Sequence, residues 1–244
     1  MEEISLKAQE LFNIGGFNVT NSTLLTLVAS LVLLSFVFFI SRKISIIPGK
    51  MQSVLEMGAE YLLGLMESVL GSMQKAERYF PLVATIFLFI WISNLLGIFP
   101  GVGSFVLHEH GGEVPLFRSP ASDLNFTLAF AVVSVLVTNI LGMMAVGAFS
   151  HLGKYFNFTN PIKAFIGLLE LISEGAKIIS LTFRLFGNVF AGEVLLTIIF
   201  FLVPYIVPLP FLFLEIFVGL IQAFIFAMIT LISIALHTSL HEEH

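Results

Sequence analysis

Long apolar runs separated by short polar segments make up most of the 244-residue chain. A helix needs roughly 20 apolar residues to cross the ~30 Å hydrocarbon layer of a membrane. Five runs reach that length, and the pattern predicts membrane-embedded helices at residues 23–41, 80–99, 124–150, 162–202 and 210–240. We therefore predict an all-α membrane protein with a single integral membrane domain over 1–244.

The segment 51–73, between the first two runs, has a different pattern. Its apolar residues recur at helical spacing, while Glu56, Glu60 and Glu67 occupy other positions on the helical wheel. This arrangement is typical of an amphipathic helix that lies on a membrane surface. We predict a surface helix here instead of another span.

The last two apolar runs are too long for ordinary spans. A helix over 162–202 would be about 60 Å long, twice the hydrocarbon thickness, so it must tilt or leave the membrane. The sequence PYIVPLP at 204–210 then breaks the helix, because proline lacks an amide proton and clashes with the preceding turn. The two runs are predicted to form a long, tilted helical hairpin.

Lysine and arginine residues predict the orientation, since short loops rich in them stay on the cytoplasmic side. Basic residues follow the first span, precede the second and follow the third: Arg42, Lys43, Lys50, Lys75, Arg78, Lys154 and Lys163. The loop 100–123 has one basic residue, Arg118, against three acidic ones. We expect this loop and the N-terminus outside, and the C-terminus in the cytoplasm.

Composition supports a membrane protein and excludes several kinds of site. The chain is 57% hydrophobic with a mean hydropathy of +1.01, which a soluble domain of this size could not bury. It has no cysteine, which excludes disulfides and thiolate nucleophiles. It also has no glycine-rich phosphate loop and no nucleophile–base pair, so we expect a non-catalytic chain without a cofactor. Isolated histidines are expected to be solvated and not to bind a metal: His108, His110, His241 and His244.

Polar residues of the predicted hairpin recur on one face of each helix. With Arg184 at zero on a 100° wheel, four polar residues of its helix lie within about 40°: Glu170, Lys177, Ser180 and Asn188. A second stripe of similar width lies on the last helix: Glu215, Gln222, Ser233 and His237. A lone serine in a span usually makes an internal hydrogen bond. Two ordered stripes indicate a functional path.

Arg184 is the strongest functional candidate in the chain. It lies about twenty residues from either end of its helix, too far for its side chain to reach water by snorkelling. An ionisable residue inside a membrane indicates function, and arginine stays protonated in essentially any protein environment. Arg184 therefore cannot carry a proton, but it can hold a nearby carboxylate ionised and drive its proton away.

Pairs of acids lie on opposite sides of Arg184 along the hairpin. Glu193 and Glu215 should reach nearly the same level on the side of the proline turn, offset by about 6 Å. We predict that they share a proton as an outer relay. Glu170 and Glu174 precede Arg184 by more than two turns and are predicted to lie on the inner side.

Two segments closely resemble signature sequences of a known family. SLTFRLFGNVFAGE at 180–193 and IQAFIFAMIT at 221–230 resemble the two signature segments of subunit a of F-type ATP synthases. That subunit is the membrane stator facing the rotating ring of c subunits. SDLNFTLA at 122–129 resembles a third family segment, and the resemblance covers essentially the whole chain in order.

The resemblance implies a role for individual residues. Arg184 would be the essential arginine that faces the ring carboxylate and prevents a proton short-circuit between two offset half-channels. Positions matching the proton path are Ser180, Asn188, Glu193, Glu215 and Gln222, and those matching its cytoplasmic access are Glu170 and Ser173. At position 215 histidine is common in that family, whereas this chain has glutamate.

Partners and location also follow from the resemblance. It implies contacts with the c-ring, the peripheral-stalk b subunits, the rest of the ATP synthase complex and membrane lipid, without nucleic acid, in a bacterial plasma membrane. A secondary antiporter is one alternative. Two halves related by a repeat would favour it, and the sequence shows no such repeat. A second alternative is a scaffold whose polar residues only hold helices together.

Overall fold

Helices dominate the computed structural model, which describes residues 8–99, 102, 105–109, 112–155 and 160–238. The described residues form α1 (Asn21–Ser41), α2 (Lys50–Leu70), α3 (Met73–Ile98), α4 (Leu124–Val146), α5 (Ala148–Gly153), α6 (Pro161–Leu202) and α7 (Pro208–Thr238). Five of these, α1, α3, α4, α6 and α7, are long and apolar enough to cross a membrane. The predicted all-α membrane fold with five embedded helices and one amphipathic helix is confirmed.

Two short antiparallel β-hairpins, which the helical pattern did not predict, lie between the long elements. β1 (Glu10–Ile14) pairs with β2 (Phe17–Thr20), and β3 (Val106–Glu109) pairs with β4 (Gly112–Pro115). Gly15 and Gly16 join the first pair with φ angles of 60° and 96°. A two-residue hairpin turn requires such positive angles, and glycine adopts them without steric cost. The Gly-Gly pair was therefore an available signal for the first hairpin.

Several helix ends differ from the sequence-based boundaries. α2 ends at Leu70 instead of residue 73, because Gly71 adopts a left-handed C-cap with φ of 71°. α3 begins at Met73 instead of residue 80, since its first turns are polar but rich in good helix formers. α4 ends at Val146 instead of residue 150, and after Gly147 at φ of 93° the chain continues into the short α5.

The last two helices, α6 and α7, form the predicted long hairpin, joined by residues 203–207. The 42 residues of α6 extend about 63 Å. Pro208 and Pro210 lie in the first turn of α7, where the missing amide protons cost no helical hydrogen bond. α7 is described as far as Thr238, so its predicted end at residue 240 lies outside the described residues.

Buried apolar side chains form two adjacent clusters that hold the long helices together. One cluster includes Ile90 of α3, Leu185 of α6 and Phe226 of α7. The other includes Met66 of α2 and Leu231 of α7. α4 packs against both arms of the hairpin, and α3 packs mainly against α7. The interior of the chain therefore lies on the α3 and α4 side of the hairpin.

Candidate functional site

Arg184 lies near the middle of α6, on a face that the rest of the chain leaves exposed. The buried residues of α6 centre about 110° away from it around the helix: Gly167, Leu181, Thr182, Leu185, Val189 and Leu196. Arg184 Nη2 donates a hydrogen bond to Ser180 Oγ, one turn earlier, at 3.3 Å. Gly187 and Ala191 are exposed on the same face. Small side chains beside the cation leave room for another helix to approach closely.

On the side of the proline turn, polar side chains of α3, α6 and α7 converge. Asn188 Nδ2 donates to Gln222 Oε1 at 2.9 Å, and Asn94 Nδ2 donates to the Gly219 carbonyl at 3.0 Å. Together with Glu215 these residues line a cavity of about 10 Å³, close to the smallest volume that holds a water molecule. We call Asn94, Asn188, Glu193, Glu215 and Gln222 the outer cluster.

Glu215 reaches across the hairpin to α6. Its carboxyl group packs over Gly192, where a β-carbon would overlap it, so the close approach depends on glycine. Glu215 also interacts electrostatically with Glu193, the next residue along α6. The structure thus brings together the two acids that helix geometry placed at one level. Their sharing of a proton stays a prediction, for which this proximity is the requirement.

On the other side of Arg184, a second set of polar groups surrounds Glu174 of α6. Glu174 Oε1 lies 2.5 Å from Lys177 Nζ and 3.3 Å from His237 Nε2 of α7. Its Oε2 accepts a hydrogen bond from Asn139 Nδ2 of α4 at 3.3 Å. Glu174 therefore connects three of the long helices through polar contacts.

The short helix α5 and the turn after it complete this second set. Asn139 Oδ1 lies 3.1 Å from His151 Nε2 and 2.9 Å from the Tyr155 hydroxyl group. Lys154 Nζ forms an ion pair of 3.0 Å with Glu170 of α6. We call this set the inner cluster: Asn139, His151, Lys154, Tyr155, Glu170, Glu174, Lys177 and His237.

The two titratable rings that follow α4 are held uncharged. Burial lowers the pKa of the His151 imidazole, and the nearby charges of Lys154 and His237 lower it further, against the opposite influence of two glutamates. Burial also raises the pKa of the Tyr155 hydroxyl group, with Glu174 adding to the shift. Both rings are therefore neutral near pH 7.

Comparison of the sequence with known proteins shows the family of the chain. The family model described as ATP synthase A chain matches residues 23–235, which include Arg184 and most of both clusters. The chain belongs to this family. The resemblance to subunit a of F-type ATP synthases is thereby confirmed.

Three bacterial members of the family, each named ATP synthase subunit a, are 35% identical to the chain. The protein of Moorella thermoacetica aligns over 226 residues, covering 93% of this chain and 94% of its own length. That of Campylobacter jejuni aligns over 208 residues, 84% of each chain. That of Mycobacterium ulcerans aligns over 236 residues, 92% of this chain and 89% of its own. With its five apolar helices, this ATP synthase A chain family member is a multi-pass membrane protein.

Within this family member, the sequence-predicted site residues separate into groups along the hairpin. Ser180 lies beside Arg184, Ser173 is exposed on the same helix, and Glu170 joins the inner cluster. Four more belong to the outer cluster: Asn188, Glu193, Glu215 and Gln222. His110, His241 and His244, and the side chain of His108, lie outside the part of the chain that the structure describes.

Sequence reasoning missed four polar residues of the two clusters: Asn94, Asn139, His151 and Tyr155. The two asparagines carried a signal, because each interrupts a long apolar run with a group that needs hydrogen-bond partners. His151 and Tyr155 carried none, since their positions depend on the reversal of the chain at Gly147.

Proposed function

We propose that the chain is the proton-conducting stator subunit a of an F-type ATP synthase, in which Arg184 separates two offset half-channels. The observation that carries this proposal is the placement of one exposed cation, Arg184, between two polar clusters of a long membrane helix. The outer cluster would form one half-channel and the inner cluster the other. The chain itself would carry out no phosphoryl transfer.

Proton uptake would begin at the outer cluster. Glu193 and Glu215 can hold and pass on protons, while Asn188 and Gln222 supply polar groups leading toward the exposed face of α6. There a proton would neutralise a carboxylate of the c-ring. A neutral carboxyl group crosses lipid at low cost, because desolvation penalises only the charged form. Protonation of its carboxylate would therefore allow the ring to rotate away from the stator.

Proton release would occur as a ring carboxyl group returns to Arg184 from the inner side. The fixed cation favours the ionised carboxylate, so the proton leaves toward the cytoplasmic access lined by Glu170 and Ser173. Arg184 also repels any proton that would cross directly between the half-channels. Each charge carries about 2.3 kcal/mol per 100 mV of potential, which such a leak would dissipate.

The exposed face of Arg184 is the surface that we assign to the c-ring. The small residues on this face are Ser180, Gly187 and Ala191, and they leave room for a ring helix to approach closely. The peripheral-stalk b subunits and the rest of the synthase complete the assembly. The bacterial relatives and the distribution of basic residues support a bacterial plasma membrane, with the N-terminus outside and the C-terminus in the cytoplasm.

The Arg184→Lys variant tests this role while keeping a nominal positive charge. A desolvated lysine can lose its proton, and it lacks the planar fork that binds a carboxylate, so we expect coupled transport to be abolished. ATP-driven acidification of inverted membrane vesicles measures it. Arg42→Lys is the matched control. Arg42 is exposed at the end of α1, its guanidinium lies over the Phe38 ring, and it belongs to neither cluster. Near-normal pumping by Arg184→Lys would contradict the proposal.

A further inference from the structure

The segment that links α1 to α2 projects apolar side chains away from the protein. Ile46 is fully exposed and Ile47 is 86% exposed. The apolar surface continues on α2, where the exposed Met51 and Val54 lie about 60° apart around the helix. Contiguous exposed apolar side chains mark a contact with a membrane or with another molecule.

The three sides of α2 have different surroundings. The buried Met66 and Leu70 face the helix bundle. The exposed acids lie at about 140–180° around the helix from Met51: Glu56, Glu60 and Glu67. The exposed apolar residues lie within about 120° on the remaining side: Met51, Val54, Met57 and Tyr61. The exposed Lys50 lies on this side as well. A helix on a membrane surface has this arrangement, with its apolar side toward lipid and its acids toward water.

The length of α1 places the linking segment at the membrane surface. α1 has 21 residues and is about 31 Å long, which matches the hydrocarbon thickness of about 30 Å. It ends at Ser41, so the residues that follow enter the headgroup region. The Arg42 guanidinium lies 4.3 Å from the centre of the Phe38 ring, one turn back in α1. Ile46 and Ile47 therefore lie within reach of the hydrocarbon without crossing it.

Hydrogen bonds to one side chain hold the linking segment in an ordered turn. The Gln52 side chain of α2 accepts from the Ser45 amide at 3.2 Å and donates to the Ser45 carbonyl at 3.0 Å. The Ser45 hydroxyl group donates to the Ile47 carbonyl at 2.6 Å. The exposed isoleucines are thus held in place before any ligand binds, which lowers the entropy cost of binding.

The charge of this region is uniformly positive. Between Glu10 and Glu56 the chain contains no acidic residue, and this stretch includes Arg42, Lys43 and Lys50. Both lysines are exposed, and within the described part of the chain neither forms an ion pair. Orientation in the membrane alone explains why basic residues follow α1. It does not explain their combination with exposed isoleucines in an ordered turn.

We propose that the end of α1 and the start of α2 present a binding site for an anionic phospholipid. The site, which we call the interfacial patch, combines two cations with four apolar side chains: Lys43, Lys50, Ile46, Ile47, Met51 and Val54. The ammonium groups bind the lipid phosphate, and the apolar side chains insert beside its acyl chains. Arg42, whose guanidinium packs on Phe38, adds to the positive potential without belonging to the site. The inference goes beyond the proposed function and requires only that α1 crosses a membrane.

Another subunit is the alternative occupant of the interfacial patch. Protein interfaces are depleted of lysine, whereas basic groups beside exposed apolar side chains are typical of segments that lie on a membrane. A lysine at a membrane boundary places its methylene groups against apolar surface and keeps its ammonium group among the headgroups. The composition of the patch therefore favours lipid over protein.

Photoactivatable lipids test the site in the complete ATP synthase complex. The complex is reconstituted into phosphatidylcholine vesicles containing a trace of a phosphatidylglycerol probe or of a phosphatidylcholine probe, both with the same photoreactive acyl chain. After irradiation, mass spectrometry of the peptides measures the labelling of residues 44–54. Each basic residue near an anionic lipid surface contributes about a fivefold gain in affinity. We therefore expect the phosphatidylglycerol probe to label this segment roughly tenfold more than the phosphatidylcholine probe.

Two double variants separate the charge of the patch from its apolar side chains. Lys43→Gln/Lys50→Gln should lower labelling by the phosphatidylglycerol probe roughly tenfold and leave labelling by the phosphatidylcholine probe unchanged. Ile46→Ser/Ile47→Ser should lower labelling by both probes, because the segment no longer inserts. Lys163→Gln is the control, since Lys163 is an exposed lysine in the first turn of α6 and lies outside the patch. It should match the unchanged complex.

Equal labelling of the unchanged complex by the two probes, or a phosphatidylglycerol preference that survives Lys43→Gln/Lys50→Gln, overturns the proposal. Full labelling of Ile46→Ser/Ile47→Ser does so as well. If residues 44–54 stay unlabelled while α1 is labelled, another subunit covers the patch and the proposal is wrong.

The unchanged complex decides alone if the double lysine variant does not assemble. Raising the salt to about 1 M shortens the Debye length to about 3 Å, so the phosphatidylglycerol preference should fall several-fold. A preference that salt does not alter contradicts the site. Because these readouts measure lipid labelling and not proton transport, they are independent of the result for Arg184→Lys.

Discussion

Substituting Gly192 with alanine should disable the outer cluster without unfolding the protein. A β-carbon at position 192 would overlap the carboxyl group of Glu215. Atoms in contact are about 3.5 Å apart, so the carboxyl group must withdraw by roughly 1.5 Å. This movement changes the position of the Glu215 carboxyl group relative to Glu193. Since a misplacement of about 1 Å can cost roughly 100-fold in rate, we expect proton uptake to slow by roughly tenfold or more.

Gly175→Ala is the matched control on the same helix. Nothing lies within 4 Å of the β-carbon that it would add. The intrinsic helix propensity of alanine exceeds that of glycine by about 1 kcal/mol at either position. At Gly192 the overlapping group is the end of a flexible side chain, so the chain can accommodate the new methyl group by moving Glu215. Both variants should therefore assemble normally.

ATP synthesis by reconstituted synthase under a fixed proton gradient measures the effect, with passive proton leak recorded separately. Gly192→Ala should be slow but not leaky, because Arg184 is intact, and Gly175→Ala should be normal. Adding Glu215→Asp shortens the side chain by one bond of about 1.5 Å, which matches the overlap. The double variant should therefore exceed Gly192→Ala in rate. If the Gly192→Ala and Gly175→Ala variants synthesise ATP at the same rate, the packing of Glu215 against α6 is not required for proton uptake and the reasoning is wrong.

Glu215→Gln should lower the turnover of ATP synthesis without increasing passive proton leak, because it removes a proton carrier and leaves Arg184 in place. Increased leak in this variant would contradict the separate roles of the two residues. A reporter fused after Lys154 should read as cytoplasmic, and an external reading would overturn the topology. Because the pKa of His151 is lower in the folded protein than its usual 6.5, the unfolded state binds more protons in acid, so the stability of α5 is lost as the pH falls below about 6.5. The protection of the α5 amides against hydrogen exchange, measured relative to the intrinsic exchange rate at each pH, should then fall between about pH 7.5 and about pH 5.5, and His151→Gln should remove that dependence.

The sequence predicts the long helices well because a membrane constrains them strongly. Every backbone group in hydrocarbon must be hydrogen-bonded internally, so an apolar run of sufficient length becomes a helix. The same rigidity explains why rise-per-residue arithmetic placed Glu193 near Glu215. Boundaries were less predictable, since a hydropathy pattern does not distinguish the polar first turns of α3 from a loop.

The inner cluster could be predicted only in part. Glu170 and Glu174 were visible as acids on the inner part of α6. Their partners depend on the positive φ of Gly147, which ends α4 and directs His151 toward Asn139. That reversal is a tertiary event, because an isolated glycine in an apolar run is equally compatible with an unbroken helix. The contact between His151 and His237 could not be derived from spacing along either helix.

Passive proton conductance in the Arg184→Ala variant tests the central claim most directly. The complex is stripped of its catalytic head, reconstituted into liposomes and exposed to a potassium-diffusion potential, and proton influx is recorded beside ATP-driven pumping by the intact complex. Without the fixed cation, ring carboxylates could carry protons past the stator without net rotation. Our account predicts that leak rises above that of the unchanged protein while pumping is lost. Near-normal pumping with no added leak would contradict it.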